Sequence, residues 1–251
     1  MTAPAQTIAF NEDKTKTGAA NQWSMHAIGG VCALIVGTLF LAEMVVYIAT
    51  SAPSLADASA WFTLFQTNRL LGLVDFGILE LYGLILFVPM FLALYAALRR
   101  ANQSLMAIAM TLVLVGIAAN FATNKLFSLL TLSDLHSAAA TAAQKSQFLA
   151  AGQATLALGA LGGIGGSVEG GIPMAVAGLI ISVVMVRSNT LGRGVGYAGI
   201  LANGTGIAMY LRAAAAPALA GSPFFGAFFL LSVVWFILIG LRLLQFEPNK
   251  A

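Results

Sequence analysis

Charge is what this chain has least of. Only 8% of its 251 residues are Asp, Glu, Lys or Arg, while 59% are hydrophobic. A water-soluble domain carries about a quarter charged residues, so a soluble enzyme with an ordinary core is excluded and a polytopic membrane protein is implied. The twelve Lys and Arg give a net charge of +3 and are scattered along the chain. Nucleic-acid binding needs them gathered into a stripe. Cysteine occurs once, as Cys32 inside an apolar run. That excludes an internal disulfide framework and any paired-cysteine metal site, leaving a small buried hydrophobe. No cofactor or metal is expected.

What the sequence has in quantity is long apolar stretches, with a mean hydropathy of +0.91 over the whole chain. A membrane span needs about 20 mostly apolar residues. Six stretches qualify: Ala27–Thr50, Leu70–Leu98, Leu105–Leu130, Ile172–Val186, Gly194–Leu211 and Phe224–Leu244. The first is longer than the core of a cleaved signal peptide and reads as a retained span. Residues 1–25 form a polar N-terminal segment, 26–246 the spanning domain, and 247–251 a short tail.

Loop charges set the orientation, because cytoplasmic loops are enriched in Lys and Arg. With six spans and a cytoplasmic N-terminus, Lys14, Lys16, Arg99, Arg100, Arg187, Arg193, Arg242 and Lys250 lie inside. Arg69, Lys145 and Arg212 lie outside. Both termini are then cytoplasmic and the protein is multi-pass in the cell membrane. Within the glycine-rich region Gln147–Gly171, counting Gln147–Gly166 as a seventh full span would spoil this bias. The region reads instead as an outer helix starting at Ser133 and leaning into the bundle, or as a bent or re-entrant segment before span four. Gly162, Gly166 and Gly170 are spaced for close helix approach. The loop before span two reads as a short interfacial helix, since Trp61, Leu64 and Phe65 share one helical face. The fold class is therefore all-α, a helical membrane bundle.

The stretch Met185–Leu211, MVRSNTLGRGVGYAGILANGTGIAMYL, places an Arg-Ser turn at the end of one span and a Leu-Gly-Arg-Gly start before the next. With the six-span pattern, it resembles the membrane family described as domain of unknown function 4386. Members of that family usually carry a proline near this turn, where Gly192 stands here. The resemblance implies the six-span architecture and carries no catalytic residue across.

Polar residues inside the spans are few, and such residues are costly in a bilayer unless paired or wetted. At about 1.5 Å of rise per residue, Glu43 lies about 10 Å below the outer end of span one. Asp75 and Glu80 lie about 8 and 15 Å into span two, and Lys125 and Asn120 lie at matching depths in span three. Asn124 adjoins Lys125. Glu169, Arg69 and Arg212 fall at outer span ends. These nine residues are the candidate polar cluster, gathered in the outer half of the bundle. Asp75 and Glu80 are five apart and face different neighbours on a continuous helix. One is expected to meet Glu43 and the other Asn120. Lys125 is expected to pair with Asp75 first and Glu43 second. Pro89 is expected to kink span two.

Three functions suit such a cluster. A closed network of ion pairs and amides would make this a non-enzymatic structural or interaction subunit. An open chamber would make it a carrier for a small solute or for protons, using Glu43, Asp75, Glu80 and Lys125. A membrane-embedded enzyme would use the carboxylates catalytically. His26 and His136 fall on opposite sides, so they form no metal or haem pair. Ser133, Asp134 and His136 read as a helix start with Ser133 as N-cap. The GxGxxG run Gly194–Gly199 opens a span and so reads as packing rather than dinucleotide binding. The expected partners are the lipid bilayer and either further copies of the chain or other membrane subunits.

Overall fold

The computed structural model describes residues 24–50, 52–54, 56–159, 167–215 and 223–246. Among these residues all regular structure is helical: α1 (Met25–Thr50), α2 (Ala58–Thr67), α3 (Arg69–Asp75), α4 (Ile78–Leu98), α5 (Gln103–Thr123), α6 (Leu126–Ala138), α7 (Ala142–Gly159), α8 (Ser167–Ser188), α9 (Arg193–Ala215) and α10 (Pro223–Leu244). Among the described residues, five helical stretches are long and apolar enough to cross a membrane. Four correspond to α1, α4, α8 and α10, and the fifth runs through α5 and α6. The protein is thus a helical apolar bundle of the integral-membrane type. Helix α9 is as long as its neighbours but diluted by Gly194, Gly196, Gly199, Asn203, Gly204 and Gly206.

Six helices close into a ring in the order α1, α10, α9, α8, α5, α4 and back to α1. Every neighbour in the ring is antiparallel. Gly29 of α1 meets Ala93 of α4, and further along α1 Phe40 meets Gly83. Gly116 meets Gly170 and Met174 across α5 and α8, while Gly178 and Gly196 receive Asn203 and Val186 across α8 and α9. Without a hydrophobic drive between helices in lipid, small residues at the crossings let backbones come close enough for dispersion to hold them. The shared core includes Val36, Phe40, Phe87, Met90, Leu94, Met106, Ile181, Met185, Trp235 and Ile239. Large side chains such as Ile48, Ile85, Val115, Leu201 and Leu230 remain on the outside, as lipid-facing positions require.

One end of the ring carries a cap made of α2, α3, α6 and α7. Trp61, Phe62 and Phe65 of α2 bury themselves against Leu126, Leu129 and Leu130 of α6 and Leu156 of α7. The expected helix over this loop exists, but its aromatic face is turned into a second small core, with Trp61 only 1% exposed. Helix α7 begins with reciprocal capping: the Gln144 amide donates to Thr141 Oγ1, and Gln144 Oε1 accepts from the Ala140 and Thr141 amides. This is the capping-box arrangement, which satisfies helix-end donors in pairs.

Several expectations are corrected here. Leu70–Leu98 is two helices, broken at Phe76–Gly77, where Gly77 has φ +97°. That left-handed conformation favours glycine because a Cβ would crowd the backbone. Helix α4 itself continues through Pro89 to Leu98. Leu105–Leu130 is also two helices, separated at Asn124–Lys125. Ser133 starts no helix. It is buried in the middle of α6, donates to the Phe62 carbonyl at 3.3 Å and accepts from Gln66 Nε2 at 3.0 Å. The stretch 147–159 lies in α7, packed on α6 and α2. The expected bent or re-entrant glycine-rich run at 160–166, the segments 1–23 and 247–251, and the loop at 216–222 lie outside the described residues. At the α8–α9 turn, Gly192 has φ +92°, a value closed to proline.

Candidate functional site

Two of the ring helices begin or end at the capped end beside an interruption, and the polar residues collect there. Glu80 lies in the first turn of α4, just past Gly77. Asn120 lies one turn before the end of α5. Gly77 provides no side-chain cap for α4, so its leading amides need an acceptor from elsewhere. Glu43 of α1 fills that place: its carboxylate interacts with the Glu80 backbone amide and with the Glu80 side chain. The positive end of a helix dipole favours an acid there. Glu43 Oε1 and Glu80 Oε2 lie 3.4 and 3.6 Å from the point where a side chain on Gly77 would begin. The two carboxylates are therefore neighbours around a glycine, and Glu43 Oε2 is buried without a hydrogen-bond partner.

The acids sort differently from the sequence expectation. Asp75 accepts a hydrogen bond from Thr50 Oγ1 at 2.9 and 3.0 Å from its two oxygens, which ties α3 to the end of α1. Glu43 meets Glu80 rather than Asp75. Lys125 occupies the N-cap position of α6 and forms no ion pair among the described residues. Arg69 pairs with Asp134 of α6 at 3.1 Å on the exposed surface of the cap. Asn124 accepts from the Leu126 amide at 3.0 Å, across the interruption between α5 and α6. Glu169 is exposed in the first turn of α8, and Arg212 is half-buried in the last turn of α9. A closed ion network centred on Lys125 is therefore not what holds the helices together.

What the ring does enclose is a cavity of about 120 Å³. Every ring helix contributes to it. Glu80 and Phe87 come from α4, Phe40 from α1, Asn120 from α5, Gly171 and Met174 from α8, Tyr210 from α9, and Phe228 and Phe229 from α10. Glu80, Leu84 and Phe87 follow i, i+4, i+7 spacing, which lines them up on one face of α4. The side-chain amide of Asn120 donates to the Gly116 carbonyl at 3.0 Å and approaches Met174 Sδ at 3.6 Å.

An unbroken arc of five rings runs along the same lining. Centroid separations run 6.0 Å from Phe87 to Phe40, 5.6 Å from Phe40 to Phe229, 5.7 Å from Phe229 to Phe228 and 5.8 Å from Phe228 to Tyr210. Glycines seat three of them. A Cβ on Gly83 would stand 3.2 Å from the Phe40 ring, one on Gly206 2.6 Å from the Phe228 ring, and one on Gly171 would run into the Tyr210 ring. The chamber's shape is thus set by glycine on one helix and an aromatic ring on the next.

Of the sequence candidates, Glu80 and Asn120 line the cavity and Glu43 stands behind Glu80. Tyr210 and the four phenylalanines were missed. Depth along a span singles out charged and amide groups only; the signal for the rings is the glycines at matching depth on neighbouring spans. Among the described residues no three His, Cys, Asp or Glu side chains converge as a metal site. Comparison of the chain with models of protein families, with curated proteins and with solved structures finds no match.

Proposed function

We propose that this is a six-span protein of the cell membrane, with both termini cytoplasmic, whose outer chamber binds a small solute and serves as a carrier site. The observation that carries this reading is the cavity built from all six ring helices, with the Glu80 carboxylate on its wall. Helix α9 is the sixth span: it lies antiparallel between α8 and α10 and exposes Tyr197, Leu201 and Leu211 on its outer face. The resemblance of Met185–Leu211 to the six-span family accords with that count, and the loop charges accord with the orientation.

Glu80 faces a mostly aromatic space and has another carboxylate beside it. Like charges this close are favourable only with a positive charge between or beside them, a proton or a bound cation. A purely structural subunit has no need for that arrangement, since apolar side chains of similar size would pack the ring at least as well. The lining holds no nucleophile next to a base, so the site suits binding and passage rather than covalent chemistry.

Cysteine labelling tests both halves of the reading. In a Cys32→Ala background, single cysteines replacing Arg100 and Lys145 are expected to react with impermeant maleimide from the cytoplasmic and outer sides respectively. A cysteine replacing Met174 is expected to react with a small methanethiosulfonate reagent supplied from outside. If that cysteine is inert from both sides of the membrane, the chamber is closed and the carrier reading is wrong.

A further inference from the structure

We propose that the chamber's solute is a small organic ammonium ion, held by the Glu80 carboxylate and by the aromatic arc that lines the same space. This deepens the carrier reading above and rests on it. Four features of the lining converge on that class.

The first is the sign of the charge. The cavity lining contains one acid and no Lys, Arg or His, and Glu43 adds a second acid behind Glu80. An anionic solute would meet repulsion with nothing to offset it. The second is hydrogen-bonding polarity. The Asn120 amide nitrogen is engaged by Gly116 and Met174, which leaves its carbonyl oxygen for a ligand. With the Glu80 oxygens, the chamber is supplied with acceptors, as an N–H-bearing or alkylated cation wants.

The third is the wall. Five rings in a continuous arc, Phe87, Phe40, Phe229, Phe228 and Tyr210, line the space. Aromatic faces attract ammonium groups by about 0.5–1 kcal/mol at exposed sites and about 2 when dehydrated, the basis of aromatic cages for quaternary ammonium. A bare inorganic cation is a poor fit, because it exchanges its water for several oxygens and this lining provides few. The fourth is size. An apolar cavity of about 150 Å³ holds benzene. At about 120 Å³ the limit here is about five heavy atoms, which admits tetramethylammonium or a short alkylamine and excludes tetraethylammonium.

The test uses the full chain in lipid nanodiscs and reads thermal unfolding against added solute at constant ionic strength. Tetramethylammonium is the probe. Its controls are tert-butanol, which has as many heavy atoms and no charge, together with tetraethylammonium, sodium acetate and sodium chloride. The expected result is a saturable rise in melting temperature with tetramethylammonium, and apparent affinities at least about tenfold weaker for every control. Glu80→Gln is expected to weaken tetramethylammonium at least about tenfold, the equivalent of one charged contact, and Phe40→Leu to weaken it by a few-fold. Asp134→Asn, a carboxylate lost from the cap surface, is expected to leave the affinity unchanged. Should Glu80→Gln fail to fold, the comparison of tetramethylammonium with tert-butanol on the unaltered chain decides alone. Equal or tighter binding of tert-butanol or acetate, or full affinity in Glu80→Gln, overturns the ammonium assignment while the labelling of a cysteine at Met174 still stands for the chamber. Absence of any shift, with that cysteine reactive, also overturns the assignment; absence of both removes the chamber as well.

Discussion

Gly171→Ala is the sharpest perturbation of the chamber, because it adds one methyl group at the point where α8 touches Tyr210 of α9. A Cβ there would stand 2.6 Å from both Cε atoms of the Tyr210 ring and nearer still to Cζ. Those are ring atoms on a short side chain that is 8% exposed, so the ring must swing or the helices must part. Overpacking of this kind costs about 1–3 kcal/mol. In a chain of this size each kcal/mol lowers the melting temperature by roughly 2–4 °C, so the expected loss is about 2–12 °C. The easier escape for the ring is into the cavity it borders, which would shrink the space and weaken tetramethylammonium. A double-mutant cycle isolates the contact. Melting curves are needed for the unaltered chain, Gly171→Ala, Tyr210→Ala and the pair. Truncating Tyr210 is itself expected to be expensive, of the order of 3–5 kcal/mol, as for other large aromatics. With the ring gone, the added methyl has room, so its cost should fall close to zero and the coupling should equal the single-variant cost. A Gly171→Ala protein that melts with the unaltered chain, or one whose cost persists beside Tyr210→Ala, would show that this seat does not shape the chamber.

Four further outcomes follow from the same geometry. Gly77→Ala forces alanine into a left-handed conformation at a cost of about 1–2 kcal/mol, visible as a lower melting temperature. Thr50→Val removes the donor to Asp75 and is expected to cost roughly 1–2 kcal/mol, towards the lower end for a bond to a charged group because the site is only partly buried; Thr50→Ser should restore most of it. A double-mutant cycle on Arg69 and Asp134, whose side chains are 56% and 42% exposed, should give about 0.2–1 kcal/mol and lose even that in high salt. Trp61→Ala empties the centre of the cap's core and is expected to cost about 3–5 kcal/mol, with new protease cleavage within α2, α6 and α7 appearing before cleavage in the ring.

The candidate site was half legible beforehand. Depth along each span placed Glu43, Glu80 and Asn120 at one end of the bundle, because rise per residue is fixed by helix geometry and needs no knowledge of neighbours. Facing was less secure. The angle between Asp75 and Glu80 holds only along one continuous helix, and the turn at Gly77 resets the helical phase between them. That reset is why Asp75 goes to Thr50 and Glu80 to Glu43. The same holds for Lys125 and Asn124, which a continuous span would aim into the bundle. The interruption makes them helix-end residues instead.

By itself the sequence determined the solvent and the class of fold. Scarce charge and repeated apolar runs leave no structure but helices that satisfy their own backbone groups, and glycine at helical spacing marks where they approach. Only the tertiary structure decided which helices are neighbours, that six of them close into a ring, and that five rings from α1, α4, α9 and α10 line one space with a carboxylate. Those facts depend on how helices cross and rotate against one another. Crossing is set by contacts between side chains distant in sequence, such as Gly171 with Tyr210 and Gly83 with Phe40, and no local period records such pairs.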